Sequence, residues 1–269
     1  MKFTWITDIH LDLIGPDIRT AFYNAIIATD SDGVLLTGDV AEAPCVSDLL
    51  TEMAQHIKKP IYFVLGNHDY YKGKVDEVRQ SIIDLMKTQH DLLWLPVLHE
   101  KLLTHDTVLV GQDGWADGRH GDYVNTQINL NDSRLIDDLF QKNIIGKYRL
   151  LEKMQELADR DAHSLHDDIM EAIKKYRPKK IIVLTHIPPF EEVCFSRGKK
   201  TSVHYLPYFA SKATGDVLTE IADKHKNISF LVLCGHTHER AQYQALDNLL
   251  IKVGKAEYRQ PTIEEVLMI

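Results

Sequence analysis

Five near-continuous apolar runs punctuate the chain: Phe3-Thr4-Trp5-Ile6, Val34-Leu35-Leu36, Ile61-Tyr62-Phe63-Val64-Leu65, Ile181-Ile182-Val183-Leu184 and Phe230-Leu231-Val232-Leu233-Cys234. Short runs rich in β-branched and aromatic residues, without polar alternation, predict central strands buried on both faces. Between the runs the period changes. Residues 17–29 place Ile18, Phe22, Ala25 and Ile26 at helical spacing, and the turn-like Asp30-Ser31-Asp32-Gly33 leads into the second run. Ser47 is the expected cap of a helix whose apolar side is Leu49, Leu50, Met53 and Ile57. A further helix over 74–88 turns Val75, Val78, Ile82 and Leu85 inward, and 107–111 reads as another strand. This alternation predicts sheets layered with helices.

The middle differs. From 131 to 176, Leu135, Leu139, Leu151, Met154, Leu157, Leu165, Ile169 and Ile173 recur at helical intervals, with a break at 143–146 separating a short helix from a longer one. Two roles suit such an amphipathic insertion: a roof over a site, or a cover for the sheet. Pro188-Pro189 stops the fourth run from continuing into a helix. The aromatic, basic stretch from there to residue 213 reads as a structured loop at the mouth of a site. Thr214 or Asp216 is the expected cap of the next helix, and 249–253 with 256–258 predicts a terminal hairpin around Gly254. No Pro/Gly/Ser-rich linker interrupts the chain, so a single domain over 1–269 is expected.

Composition narrows the classes. With 269 residues, 44% of them hydrophobic, the chain can bury a substantial core. A formal charge of -8 argues against a broad surface for nucleic acid or phospholipid. Cys45, Cys194 and Cys234 form neither a disulfide framework nor a zinc-thiolate spacing. No signal-like segment or membrane-length run occurs, so no membrane association and a cytoplasmic location are expected.

The candidate chemistry sits beside the apolar runs. Asp8-Ile9-His10, Gly38-Asp39, Gly66-Asn67-His68-Asp69, Thr185-His186 and Gly235-His236-Thr237-His238 each come just past a predicted strand end, where open α/β sheets place their sites. An Asp and a His two positions apart in an extended segment point the same way, so Asp8 and His10 are expected to chelate one ion. Asp39 can offer one oxygen to each of two ions roughly 3.5–4 Å apart. Asn67 adds a neutral amide oxygen. His186, His236 and His238 complete a nitrogen and oxygen set suited to Mn, Fe, Zn, Co or Ni.

In order and content these motifs resemble those of the calcineurin-like metallophosphoesterases. The resemblance spans nearly the whole chain. It implies a four-layer α/β-β/α sandwich of two mixed sheets, metallo-dependent phosphatase-like, here with a helical insertion. It further implies two divalent metal ions, with manganese the expected kind. Asp8, His10, Asp39 and His238 would surround the first, and Asp39, Asn67, His186 and His236 the second. The implied reaction is attack of a metal-activated water on phosphorus, with His68 protonating the leaving oxygen or stabilising the transition state. Asp69 would orient that imidazole, or hold its loop by accepting backbone hydrogen bonds. One departure is Val40-Ala41-Glu42, where many relatives have a further Asp; Glu42 is the expected substitute.

Substrate contacts are sought in Trp115, Arg119 and His120 on one side and Phe190 and Arg197 on the other. Each has a plain structural alternative, as a core anchor, a solvated charge or a loop-ordering group. A small phosphorylated metabolite or nucleotide is the expected substrate. A phosphodiesterase or nuclease of the same fold is the alternative, long nucleic acid being disfavoured by the missing basic track. A catalytically weak, metal-containing protein-interaction module is the second class; its protein partner is not specified by the sequence.

Overall fold

The computed structural model describes residues 1–269. Strands β1 (Lys2–Ile6), β2 (Gly33–Thr37), β3 (Ile61–Val64) and β4 (Leu92–Trp94) lie parallel in one sheet. A second sheet is built from β5 (Glu100–Leu102), β6 (Thr107–Gly111) and β7 (Lys180–Leu184), then, past a small hairpin of β8 (Phe195–Ser196) and β9 (Lys199–Lys200), from β10 (Ser229–Cys234), β11 (Ala241–Leu246) and β12 (Leu249–Val253). Its order is β11-β12-β10-β7-β6-β5, with both edge strands antiparallel. Strand β13 (Glu265–Met268) crosses back and pairs antiparallel with β1, which makes the first sheet mixed as well.

Strand periodicity produces the layers. Successive side chains leave a strand on opposite faces. Phe3, Trp5, Leu35, Tyr62 and Val64 therefore meet Leu109, Ile182, Leu184, Leu231 and Leu233 between the sheets, while Ile6, Val34, Leu36 and Phe63 face outward onto helices. Each such buried side chain contributes roughly 1.5–3 kcal/mol relative to exposure.

Helices α1 (Pro16–Ala28), α2 (Ala43–Ile57) and α3 (Val75–Met86) cover the first sheet, and the short α4 (Leu95–Leu98) follows β4. The insertion comprises α5 (Asp132–Leu135), α6 (Asp137–Ile145) and α7 (Lys147–Tyr176), with Gly146 at φ 146° forming the expected break. Its long helix covers the sheet, as one of the two expected roles has it, and reaches beyond it. Leu150, Met154 and Leu157 pack beside Trp115 and Tyr208, whereas Leu165, Ile169 and Ala172 join α8 (Lys212–Lys224) over the second sheet. The sandwich is thus four-layered, as expected. No helix is long and apolar enough to cross a membrane.

Four local expectations need correction. Helix α1 buries Phe22, Tyr23 and Ile26 and leaves Ile18 and Ala25 outside, so its stripe is rotated relative to the one expected from spacing. Helix α2 begins before Ser47, at Ala43, because Pro44 suits a first turn whose N–H needs no partner; the Ser47 hydroxyl instead meets that of Ser81. Helix α8 is capped by Ser211, whose side chain accepts from the Thr214 N–H. The late hairpin is β11–β12, turning at Asp247-Asn248, and not a fold around Gly254. Gly254 donates its N–H to the Cys234 carbonyl, after which the chain leaves the sheet and carries Tyr258 back over the strand ends.

Candidate metal centre

Because the central strands run parallel, their C-terminal ends share one edge of the sandwich. There Asp8 follows β1, Asp39 follows β2, Asn67 follows β3, His186 follows β7 and His236 follows β10. Convergence needs more than strand direction. Asp8, His10, Asp39, His236 and His238 all adopt positive φ, five of the twelve non-glycine residues that do. Each left-handed residue costs of order 1–3 kcal/mol, a strain that collects at functional sites. Asp8 and His10 therefore meet through a tight left-handed turn, and not through the extended segment expected from their spacing. Close approach is the second device: a β-carbon at Gly66 would strike the Asp39 carboxylate, and one at Gly235 would strike that of Asp8.

One donor set is Asp8, His10, Asp39 and His238, whose ligand atoms lie within 4.8 Å of one another. His238 Nε2 is 3.2 Å from Asp8 Oδ1 and His10 Nε2 is 3.8 Å from Asp39 Oδ2. His10 Nε2 is buried without any hydrogen-bond partner, an arrangement that costs free energy unless something accepts its lone pair. Beside this set, Asn67 Oδ1 sits 3.0 Å from both His186 Nε2 and His236 Nδ1, and His186 Nε2 is 3.3 Å from Asp39 Oδ1. The opposite ring nitrogens are fixed by carbonyls. His186 Nδ1 is 2.7 Å from the Thr37 oxygen and His236 Nε2 is 2.9 Å from that of Tyr208. His236 therefore donates outward and turns a lone pair inward, and His186, which donates outward in the same way, would do so once a cation takes the place of its inner proton.

Charge is arranged to match. Burial, reinforced for His236 by the neighbouring His186, lowers His10 and His236 to about 4, so both offer neutral imidazoles. Burial alone would raise the two carboxyls, but the His238 hydrogen bond and the His186 charge bring Asp8 to about 2, and His186 with His68 hold Asp39 well below its usual range. Burial is outweighed for His186 too, which Asp39 and Asp8 lift to about 10. The donors, their charges and the orphaned His10 nitrogen fit divalent cations.

A sequence profile described as calcineurin-like phosphoesterase matches residues 1–240. The chain belongs to that family. The phosphopantetheinyl hydrolase of Mycobacterium tuberculosis shares the fold of this phosphoesterase with a TM-score of 0.58 and 14% identity, over 96% of this chain and 90% of that one. A dimetal phosphatase from Danio rerio does so with a TM-score of 0.61 and 10% identity, over 96% and 88% respectively. Identities this low speak to fold alone. No curated protein sequence matches the chain. Family and ligand cluster together make this a metal-dependent phosphoesterase.

The remaining expected residues divide sharply. His68 stacks on Tyr71 with ring centroids 4.2 Å apart and meets His10 edge-on at 4.7 Å. Asp69 does not orient it. The Asp69 carboxylate accepts from the N–H groups of Asp39, Val40, Ala41 and Gly66, which pins the two ligand-bearing turns together. Glu42 turns away to ion-pair with Lys72. Arg119 is also unavailable to a phosphate, since its guanidinium grips Asp159 at 2.7 and 2.8 Å and Asp117 at 3.0 Å. His120 faces Glu191. Phe190 packs edge-on against Tyr243, a loop-ordering role. Trp115 is a buried anchor against Tyr70 that also borders the hollow beside Asn67.

Arg197 alone of the expected substrate contacts opens onto the centre. It lines a cleft of about 520 Å³ with Phe209, His236, His238, Lys255 and Tyr258. Tyr258 had no signal in the sequence; its ring lies 4.7 Å from His10 and 4.9 Å from His238. Also unforeseen was Asp113, buried below the centre, which accepts from the Leu65 N–H, Trp94, Tyr70 and Arg79. Arg79 reaches on to Asp161 of α7 at 2.7 Å.

Proposed function

We propose that this chain hydrolyses small phosphate esters, nucleotides among them, in the cytoplasm and with two divalent cations, manganese being the expected kind. The observation that carries the reading is Asp39. Its Oδ2 faces His10 and its Oδ1 faces His186, so one carboxylate looks into two donor sets. Asp8, His10, Asp39 and His238 would hold one ion, and Asp39, Asn67, His186 and His236 the other. Such cations, when bound, supply an activated water nucleophile and compensate the charge gathering on phosphoryl oxygens.

The protein's own groups do the rest. His68, steadied by the Tyr71 ring, is the acid that gives a proton to the leaving oxygen. Arg197 and Lys255 line the cleft without forming an ion pair, and Glu239 and Glu257 stand there too, so an anionic substrate would be drawn by these two cations together with the bound metal ions and not by an overall positive wall. The cleft runs past Arg197 and Phe209 into a second hollow with Lys200 and Tyr205. That extent suits an ester with a sizeable leaving group, monoester or diester, and a flat ring could lie on Phe209. The three free cysteines fit a reducing compartment.

The test is release of phosphate or alcohol by manganese-loaded protein from p-nitrophenyl phosphate, its bis-ester and a set of mononucleotides. Turnover is expected for at least one class. Asp39→Asn should lose ions and rate together, whereas His68→Ala should keep its ions and slow by about 100-fold. Unchanged kinetics in His68→Ala would remove its assigned role. Two ions bound with no turnover on any ester would leave a metal-containing interaction module instead.

A further inference from the structure

Asn67 is the one amide in the two donor sets, and its side chain has two faces. Rotated by half a turn, it would present an NH2 group to the centre, which cannot ligate a cation. Asp132, the first residue of α5, decides the orientation. Its Oδ1 accepts from Asn67 Nδ2 at 2.8 Å and from the Tyr71 hydroxyl at 2.6 Å. Asn67 Nδ2 also lies 3.3 Å from the Tyr71 oxygen, closing a three-membered ring of contacts. An ionised carboxylate only accepts, so the amide nitrogen must turn toward α5 and the amide oxygen toward His186 and His236. The same Tyr71 ring stacks on His68.

We propose that Asp132 is a positioning residue: it fixes the Asn67 amide for the second cation and, through Tyr71, seats the His68 imidazole. The inference rests on the two-ion reading above. It gives the helical insertion a task in the centre itself, since Asp132 is brought to the site as α6, through Leu139, packs with Leu150 and Met154 of α7. Groups of this kind, one bond removed from a ligand, typically change metal affinity by about 10–100-fold when lost.

The test uses the full chain and Mn2+ alone, titrated calorimetrically into wild type, Asp132→Ala, Asp132→Asn and Tyr71→Phe, with melting of the ion-free proteins as a folding control. Wild type should take up two ions. Asp132→Ala should weaken one of the two steps by about tenfold or more and leave the other unaltered. Asparagine keeps an acceptor oxygen at the same place, so Asp132→Asn should restore most of that affinity. If Asp132→Ala fails to fold, Tyr71→Phe keeps the test, because it removes the two contacts of the Tyr71 hydroxyl but leaves the bond from Asn67 to Asp132, and should weaken the same step more mildly. Two ions bound with wild-type affinity in Asp132→Ala, or equal losses in the alanine and asparagine variants, would overturn this inference alone. A wild type that binds a single ion would overturn the two-ion reading and this inference with it.

Discussion

Gly66 passes so close to Asp39 that a β-carbon there would lie 2.6 Å from the Asp39 backbone nitrogen and overlap its carboxylate. Real β-carbons do not tolerate such contacts, so any side chain at 66 must push the shared carboxylate away from one donor set. Gly66→Ala should therefore remain folded by circular dichroism yet lose manganese affinity by about tenfold or more. Calorimetric titration checks this; unaltered binding would mean that the close approach is incidental.

Asp69 gathers four backbone N–H groups from the turns that carry Asp39 and Asn67. Asp69→Asn replaces an accepting oxygen with a donor that faces donors. Stability should fall by about 1–3 kcal/mol per group left unpaired, and turnover should fall with it. The pH–rate profile should keep its shape, because Asp69 moves no proton to substrate. A displaced acid limb would return Asp69 to acid–base chemistry.

Arg79 lies between two buried carboxylates, Asp113 at 3.0 Å and Asp161 at 2.7 Å. Arg79→Met would leave Asp113 without a cation and Asp161 with only Arg160, 3.7 Å away. Removing one partner from a buried ion pair typically costs about 3–5 kcal/mol. Urea unfolding should show a loss of that size, with Lys153→Met, whose partner Glu156 is exposed, as a near-neutral control.

The two candidate arginines should behave oppositely. Arg197→Ala should raise KM by about tenfold, the worth of one charge-assisted hydrogen bond to phosphate. Arg119→Ala, which breaks contacts to Asp117 and Asp159 away from the cleft, should leave kinetics unchanged. Steady-state kinetics on any accepted ester decides, and an effect confined to Arg119→Ala would reverse the assignment.

Tyr258 leans over His10 and His238 from a loop that the hydrophobic pattern did not announce. Tyr258→Ala should raise KM by up to about tenfold, since an aromatic contact is worth about 0.5–1.5 kcal/mol, and should leave kcat nearly constant. A fall in kcat with KM constant would instead make Tyr258 part of the chemical step.

The central strands, most of the helices and the residues that cluster at one edge were legible in the sequence, whereas the four-layer sandwich came from the family resemblance, spacing alone giving only sheets layered with helices. Buried parallel strands read as unbroken apolar runs, and their shared direction delivers the residues just past each C-terminal end to a common edge. Asp8, His10, Asp39, Asn67, His186, His236 and His238 were therefore recognisable without coordinates. Which partner each remaining polar group takes was not legible, because partners far apart in sequence leave no local pattern. Arg119 could have met a phosphate, but Asp159, forty positions away, meets it first. Asp69 stands next to His68 in sequence, yet its carboxylate reaches four backbone groups instead. Asp132 and Tyr258 look like ordinary surface residues in a linear reading, and only the docking of the insertion and of the final loop brings them to the metal centre. Periodicity is set by burial and so is written locally, whereas hydrogen-bond choice depends on distance and direction and is decided only once the layers have packed.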